Sequence, residues 1–462
     1  MRQIAAITLA KTAAAISRGL GKGGGTALPG LIAQRLEPQI ITRTAAQMGA
    51  GSVLITGTNG KTTTARLVRS ILRAAGYLPV ANRAGSNMMR GVAAALVEAA
   101  GPSGRLRRAA KRIGIFEIDE ATLPYAADAV RPRAIAFTNL FRDQLDRYGE
   151  VEHVAGIWHR LVERLPAGTT LVLNADDPSV ASLARGHDLP VVFYGLSEAS
   201  QGGDTVEHAA DARWCSNCGG ELAYGAVYYG HIGLWSCPEC GLARPRPQVD
   251  GTHAELEEDH LHLDAALPAG TLNLRVPLIG LYSVYNILAA LAVATALEVP
   301  LEAIQQGVRD FTAGFGRQER LQIEGRQVQV ILAKNPAGLN QVLRAITVDD
   351  QPKHLLFFLN DGLADGRDVS WIWDVDFELL HGRIASLLAS GNRAADLALR
   401  LKYAGADGTP AVEEAPAAAL RQAIAATPQG ETLYVIPTYT ALLEVRDLLA
   451  RQARRGRFWE DV

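Results

Sequence analysis

The run Gly57-Thr58-Asn59-Gly60-Lys61-Thr62-Thr63 follows a short apolar stretch, Val53-Leu-Ile-Thr56. Glycines let backbone N–H groups approach phosphate oxygens, and the N-terminus of the helix that follows adds its positive dipole end. Lys61 can reach the β- and γ-phosphates of a nucleotide, and the Thr62 hydroxyl can ligate Mg²⁺. The spacing departs from G-x-x-x-x-G-K, because Ile55 stands where the first glycine would be. Strand, loop, lysine and hydroxyl still occur together, so ATP is expected on residues 57–63. Glu117 ends another apolar run, Ile115-Phe-Glu-Ile-Asp-Glu120. A carboxylate at the C-terminal edge of a parallel strand lies where α/β folds bind ligands, which makes Glu117 a candidate Mg²⁺ ligand. Asp119 and Glu120 read as surface charges.

All four cysteines fall in one window, as Cys215-Ser-Asn-Cys218 and Cys237-Pro-Glu-Cys240. Four thiolates at this spacing suit a closed tetrahedral Zn²⁺ site, with no open position for catalysis. The alternatives are a redox pair or a nucleic-acid-binding ribbon; Glu221, Glu239 and a scarcity of basic residues weigh against the second. A third unusual segment runs from Leu359 to Asp374, with Asp361, Asp365, Asp368 and Asp374 set between glycines, Trp371 and Trp373. Its bland reading is a turn-rich loop anchored by buried tryptophans.

The elements around these residues alternate. Ser52–Thr56, Ile113–Ile118, Ala134–Thr138, Thr170–Asn174 and Pro190–Tyr194 read as buried strands, and Thr62–Ala75, Asn87–Ala99 and His153–Leu165 as helices. That order implies a parallel sheet with helices on both faces. Ala254–Leu278 is more β-like, and Asn286–Leu297 reads as a helix. A second α/β series begins near Arg320, with strands at Val328–Ala333, His354–Leu359, Ile384–Leu388 and Leu433–Ile436. Its helices lie around Leu339–Ile346, Asn392–Tyr403 and Tyr439–Arg451, and the glycine-punctuated 311–316 is a candidate hinge. The expected organisation is an N-terminal helical segment (1–50), a central α/β domain (51–315) with the ribbon inserted at about 205–248, and a C-terminal Rossmann-like α/β domain (316–462).

A chain of 462 residues exceeds one ordinary core, and 20% charged residues against 48% hydrophobic ones describe a well-buried globule. A formal charge of −2 argues against broad binding to nucleic acid. Confining cysteine to one metal-like cluster suits a reducing cytoplasm. Ile4–Ile16 is mildly apolar but interrupted by Lys11, which reads as an amphipathic surface helix rather than a signal peptide, with membrane-surface contact the minority reading.

Several motifs in order carry a family resemblance. G-T-N-G-K-T, Thr138-Asn139 with Asp143 and Asp146, Asn174-Ala-Asp-Asp177-Pro, Tyr285-Asn286, and Gly316-Arg317-Gln-Glu319 together resemble the Mur ligase family. That resemblance implies an ATP-dependent carbon–nitrogen ligase that phosphorylates a carboxylate and lets an amine attack the acyl phosphate. It also implies that Lys61 holds phosphates, Thr62 and Glu117 hold Mg²⁺, Asn286 contacts the adenosine end and Arg317 reaches the phosphates. The loop begins after only about fifty residues, so a UDP-binding front domain, and with it a UDP-linked substrate, is not expected. Where relatives have an Asp-Tyr-Ala-His-Asn-Pro-like segment, this chain has Ile331-Leu-Ala-Lys-Asn-Pro336-Ala-Gly.

The inserted Cys₄ ribbon, K-N-P-A-G and N-D-x-x-A-D-G-R-D resemble the branch of the family that amidates the D-glutamate α-carboxyl of lipid II. This implies a heterodimer with a GatD-like glutaminase that supplies ammonia, with Asp368 completing the partner's Cys-His pair, at the cytoplasmic face of the membrane. The rival reading is a stand-alone amino-acid ligase of the Mur or folylpolyglutamate type; a second rival is a zinc-ribbon binding protein with a vestigial nucleotide site.

Overall fold

The computed structural model describes residues 2–19, 28–83, 85–143, 151–204, 210–312, 314, 317–406 and 410–452. Two sheets organise the chain. In chain order the strands are β1 (Ser52–Thr56), β2 (Leu78–Ala81), β3 (Arg112–Glu117), β4 (Ala134–Phe137), β5 (Thr170–Asn174) and β6 (Val191–Leu196), then β7 (Ala223–Tyr229), β8 (Ile232–Ser236), β9 (Val249–Leu256), β10 (Leu261–Leu267) and β11 (Gly270–Val276). The first sheet has the order β11-β10-β9-β6-β5-β4-β1-β3-β2; it is parallel from β9 to β2 and ends in the antiparallel β9-β10-β11. β7 and β8 form a separate two-stranded sheet, with single bridges from Val227 to Gly203 and from Ser236 to Ala243.

β1 shows why the residues between Ser52 and Thr56 are all apolar. Val53 and Ile55 pack into the core on one face and Leu54 into the core on the other, all fully buried. Each such side chain contributes roughly 1.5–3 kcal/mol on leaving water. The strand order also fixes where ligands bind. From β1 the chain first builds β2 and β3 on one side, then β4, β5 and β6 on the other. The loops after β1, β3 and β4 therefore diverge around one crevice, the switch point of the sheet.

The second sheet contains β12 (Arg317–Ile323), β13 (Arg326–Ile331), β14 (Lys353–Phe358), β15 (Ile384–Ser390), β16 (Ala411–Val412) and β17 (Thr432–Pro437), ordered β12-β13-β17-β14-β15-β16. Only β12 is antiparallel to its neighbour. Leu355 and Phe357 face one core and Leu356 and Phe358 the other, so this sheet too is covered on both sides.

Most of the expected elements are present, with shifts at their ends. The helix expected from Asn286 begins at Leu281, after Gly280. β2, β12 and the helices Leu123–Val130, Leu301–Arg309 and Pro416–Ala426 are additional. The N-terminal segment forms helices Arg2–Gly19, Leu28–Leu36 and Ile40–Ala45. The first buries Ala6, Ile7 and Ala10 and leaves Ile4, Leu9 and Ile16 exposed. No helix among the described residues is long and apolar enough to cross a membrane.

Candidate nucleotide site and metal centre

The loop after β1 makes its turn at Gly57 (φ +127°) and Gly60 (φ +88°). A Cβ on Gly57 would stand 2.1 Å from Thr138 Oγ1 and 2.8 Å from the Asn139 carbonyl oxygen; one on Gly60 would stand 2.0 Å from Asn286 Oδ1. These positions need glycine for both backbone conformation and space. Gly57→Ala is expected to cost about 1–3 kcal/mol of stability and to weaken ATP binding. Denaturant unfolding and nucleotide titration on the same variant check both effects.

Side chains from β4's end hold the loop open. Asn59 N donates to Asn139 Oδ1 (2.9 Å), Thr58 N to the Asn139 carbonyl (2.9 Å), and Thr138 Oγ1 to the Asn59 carbonyl (2.7 Å). The Thr138-Asn139 motif is thus a frame for the phosphate loop. Helix Lys61–Ala74 starts directly after Gly60, with its first turn buried at Lys61–Thr64. Lys61 Nζ donates to the Gly57 carbonyl, to the Thr58 carbonyl (3.3 Å) and to Glu120 Oε1 (2.9 Å). Burial opposes its charge, but Glu120, Glu117 and Asp119 around it hold the ammonium above its ordinary range.

Thr62 Oγ1 donates to Glu117 Oε2 at 2.9 Å. Two oxygens on one Mg²⁺ at about 2.1 Å and a right angle stand about 3 Å apart, so this pair fits the ion. Asn82 fixes the Glu117 backbone on both sides, accepting from its N–H (3.0 Å) and donating to its carbonyl (2.8 Å). Asp119 and Glu120 depart from the surface reading. They are 6% and 7% exposed, and Glu120 is the ion-pair partner of Lys61. The signal available in the sequence was only their place just after Glu117.

Beside the loop opens a cleft between the two sheets' layers, lined among others by Asn59, Asn139, Tyr229, Asn286, Gln318 and Gly338. Its mixed polar and apolar lining is of the kind that takes a nucleoside. Asn286 lies in it as expected. The second half of the chain closes the cleft through the K-N-P segment, which sequence reasoning did not assign to the nucleotide side. Asn335 caps helix Pro336–Ile346 through Gly338 N (2.7 Å) and also donates to Asn59 Oδ1 (3.0 Å). Lys334 pairs with Asp143. Asp146 and Gly316 lie outside the described residues, as does the Arg317 side chain; Arg317 begins β12.

The N-A-D-D-P motif supports rather than touches this cleft. Asp177 caps the short helix Pro178–Ala181 and accepts from Leu140 N (2.9 Å). Asp176, fully buried, accepts from Tyr285 OH (2.6 Å), Leu196 N (2.8 Å) and the Arg244 guanidinium. It ties helix Leu281–Ala296, and so Asn286, to the end of β5.

The cysteines meet as expected from spacing. Cys215 Sγ lies 3.6 Å from Cys240 Sγ and Cys218 Sγ 3.5 Å from Cys237 Sγ, with all four within 4.8 Å of one another. A tetrahedral ion with 2.3 Å bonds to sulfur needs edges of about 3.8 Å, so the donor set fits Zn²⁺. Each knuckle repeats the same turn. Gly219 N bonds the Cys215 carbonyl and Gly241 N the Cys237 carbonyl, with φ near +75° at both glycines.

Asp368 is not brought to the phosphate loop. It lies exposed on the segment after β14, accepting from Ser370 N (2.8 Å), and hydrogen bonds from Ser370 keep its carboxyl below the usual range. The segment is anchored otherwise than expected. Trp373 is half exposed and Trp371 only partly buried, packed against the core cluster that contains the buried Val369, Ile372 and Val375. Asp365 binds Thr440, and Asp361 binds Arg393 and Asn392.

Comparison with known proteins agrees with this geometry. Residues 55–217 match the Mur ligase middle domain and residues 332–442 the MurT ligase C-terminal domain. The chain is 34% identical, over 99% of its length and 100% of the relative's, to the lipid II isoglutaminyl synthase (glutamine-hydrolyzing) subunit MurT of Staphylococcus aureus strain COL. It is 32% identical to the corresponding subunit of Streptococcus pneumoniae (strain ATCC BAA-255 / R6), over 93% of both chains. Among solved structures, MurF from Acinetobacter baumannii superposes with a TM-score of 0.67 at 18% identity, covering 92% of this chain and 81% of that one. Sequence likeness over the full length, on a Mur ligase fold, shows that this chain belongs to the MurT family of Mur ligases.

Proposed function

We propose that this chain is the synthetase subunit that amidates the D-glutamate α-carboxyl of the lipid II stem peptide to D-isoglutamine. The observation that carries the reading is the end-to-end likeness to subunits of lipid II isoglutaminyl synthase. A carboxylate is a poor acyl acceptor until one oxygen becomes a phosphate leaving group. Its oxygen therefore attacks the γ-phosphorus of ATP, releasing ADP. Ammonia adds to the acyl phosphate carbon, and collapse of the tetrahedral intermediate expels inorganic phosphate and a proton. Lys61 would place its positive charge on the phosphate side, and the N–H groups at the start of helix Lys61–Ala74 would hold the non-bridging oxygens. Thr62 and Glu117 would hold Mg²⁺, which neutralises charge on the transferring group. Asn286 and Arg317 would bind the nucleoside and phosphate ends.

Ammonia would come from a GatD-like glutaminase docked on the second α/β unit. The exposed Leu363 and Trp373, on the same segment as Asp368, and the exposed Tyr403, whose ring meets that of Trp373, support such a contact. Asp368 would orient the partner's histidine and stabilise its charged form. Cys215, Cys218, Cys237 and Cys240 would hold a structural Zn²⁺ within the insert. Ile4, Leu9 and Ile16, exposed on the N-terminal helix, support contact with the cytoplasmic face of the membrane that carries lipid II. The domain limits at about 50 and 315 belong to the same reading.

The test is reconstitution of both subunits with lipid II, ATP, Mg²⁺ and glutamine. Stem peptide carrying one carboxamide, with stoichiometric ADP, is the expected product by mass spectrometry. Coupling of a free amino acid instead, or ATP-independent product, would overturn the reading.

A further inference from the structure

The turn joining β9 to β10 carries a second converging set of donors. His260 Nε2 lies 3.0 Å from Glu257 Oε1 and 3.1 Å from His262 Nε2, and His262 Nε2 lies 3.6 Å from Glu257 Oε1. The turn is closed by Glu257 N donating to the His260 carbonyl (3.0 Å). On the other edge of its ring, His260 Nδ1 meets the Asp259 carboxylate. Arg275 also approaches that edge, 3.3 Å from Nδ1.

A carboxylate at Nδ1 selects the tautomer with its proton there, which leaves a lone pair on Nε2. That lone pair faces a carboxylate oxygen and, when His262 carries its proton on Nδ1, a second imidazole lone pair. A cation among the three satisfies all of them. Donors bound at about 2.1 Å stand about 3.0 Å apart at a right angle and about 3.4 Å apart in a tetrahedron, which agrees with the spacing found here. We propose that Glu257, His260 and His262 bind a divalent transition-metal ion of the zinc type, with Asp259 as the carboxylate that orients His260.

The site is separate from both centres described above. β9 stands four places from β1 in the sheet, and the set contains no sulfur. It lies at a seam, because the neighbouring Glu258 accepts from Tyr434 OH of β17 at 3.4 Å and Arg320 of β12 helps hold the Asp259 charge. An ion here clasps the turn that reaches from the first sheet to the second.

The experiment uses the purified full chain, its ribbon metal retained, dialysed against a mild chelator and titrated with Co²⁺. A site of nitrogen and oxygen donors gives visible d–d absorption without the near-ultraviolet charge transfer of thiolate–cobalt bonds. Wild type is expected to take up one further equivalent with that signature. His262→Ala and Glu257→Gln are expected to lose it, and Asp259→Asn to bind roughly 10–100-fold more weakly. His262 and Glu257 are 34% and 42% exposed at their side chains, so these changes spare the core; circular dichroism checks this. Absence of the band, thiolate charge transfer alone, or an unchanged band in His262→Ala would overturn the proposal. The assignment of the cysteines is read separately, from the thiolate band of cobalt-exchanged protein.

Discussion

Lys61→Ala is expected to lower amidation by at least about 10³-fold, equally with glutamine and with ammonium as nitrogen source. Neither source bypasses phosphorylation of the carboxylate, and Lys61 is the only cation bonded to the loop carbonyls among the described residues. The substitution also strands Glu120, whose carboxylate is buried against that ammonium. Losing one partner of a buried pair typically costs about 3–5 kcal/mol. Lys61→Ala with Glu120→Gln removes both charges and separates the effects. Turnover should stay at the lower level while the thermal midpoint recovers. Restored turnover in that double variant would show that the lysine acts on the fold rather than on ATP.

Asp368→Asn should divide the two nitrogen sources. Replacing the orienting Asp of a catalytic triad costs about 10⁴-fold in turnover. Glutamine-driven amidation in the assembled complex is expected to fall on that scale, with ammonium-driven amidation within about two-fold of wild type. The carboxylate is solvent-exposed and bonded only to its own turn, at Ser370, so asparagine fits without disturbing the core. Comparable losses with both sources would remove Asp368 from the glutaminase and return it to the turn.

Those two residues also mark what was legible in the sequence. The phosphate loop is local, and the parallel strands around it are runs in which nearly every residue is buried, so loop, β1 and the end of β3 stood out together. The cysteine knuckles are equally local. Glu120 was misread because its partner lies 59 residues away, after the neighbouring strand β1. Asn335, 276 residues from Asn59, had no signal that it closes the nucleotide cleft. β12 escaped because Arg-Gln-Glu-Arg-Leu-Gln-Ile is mostly polar, and it finds its place by pairing with β13. β2 is a four-residue strand at the sheet's margin, too short for periodicity to show. The tryptophans at 371 and 373 suggested burial by type alone; Trp371 packs partly buried against the core, Trp373 is half exposed, and the fully buried anchors are the β-branched Val369, Ile372 and Val375.

The insert between β6 and β9 has a consequence for how such chains can be rebuilt. Its two ends are adjacent, since Tyr194 pairs with Val249, and a graft that spans neighbouring strands normally tolerates replacement. Here the middle of the insert reaches back. Arg244 neutralises Asp176, Trp235 Nε1 bonds the Ala175 carbonyl (3.0 Å) and Tyr228 OH the Leu196 carbonyl (2.7 Å). Excising the ribbon would leave a buried carboxylate without its cation at the end of β5 and loosen Tyr285 beside Asn286. A chimera that exchanges this insert is therefore expected to need an arginine in the place of Arg244, or a neutral residue at Asp176.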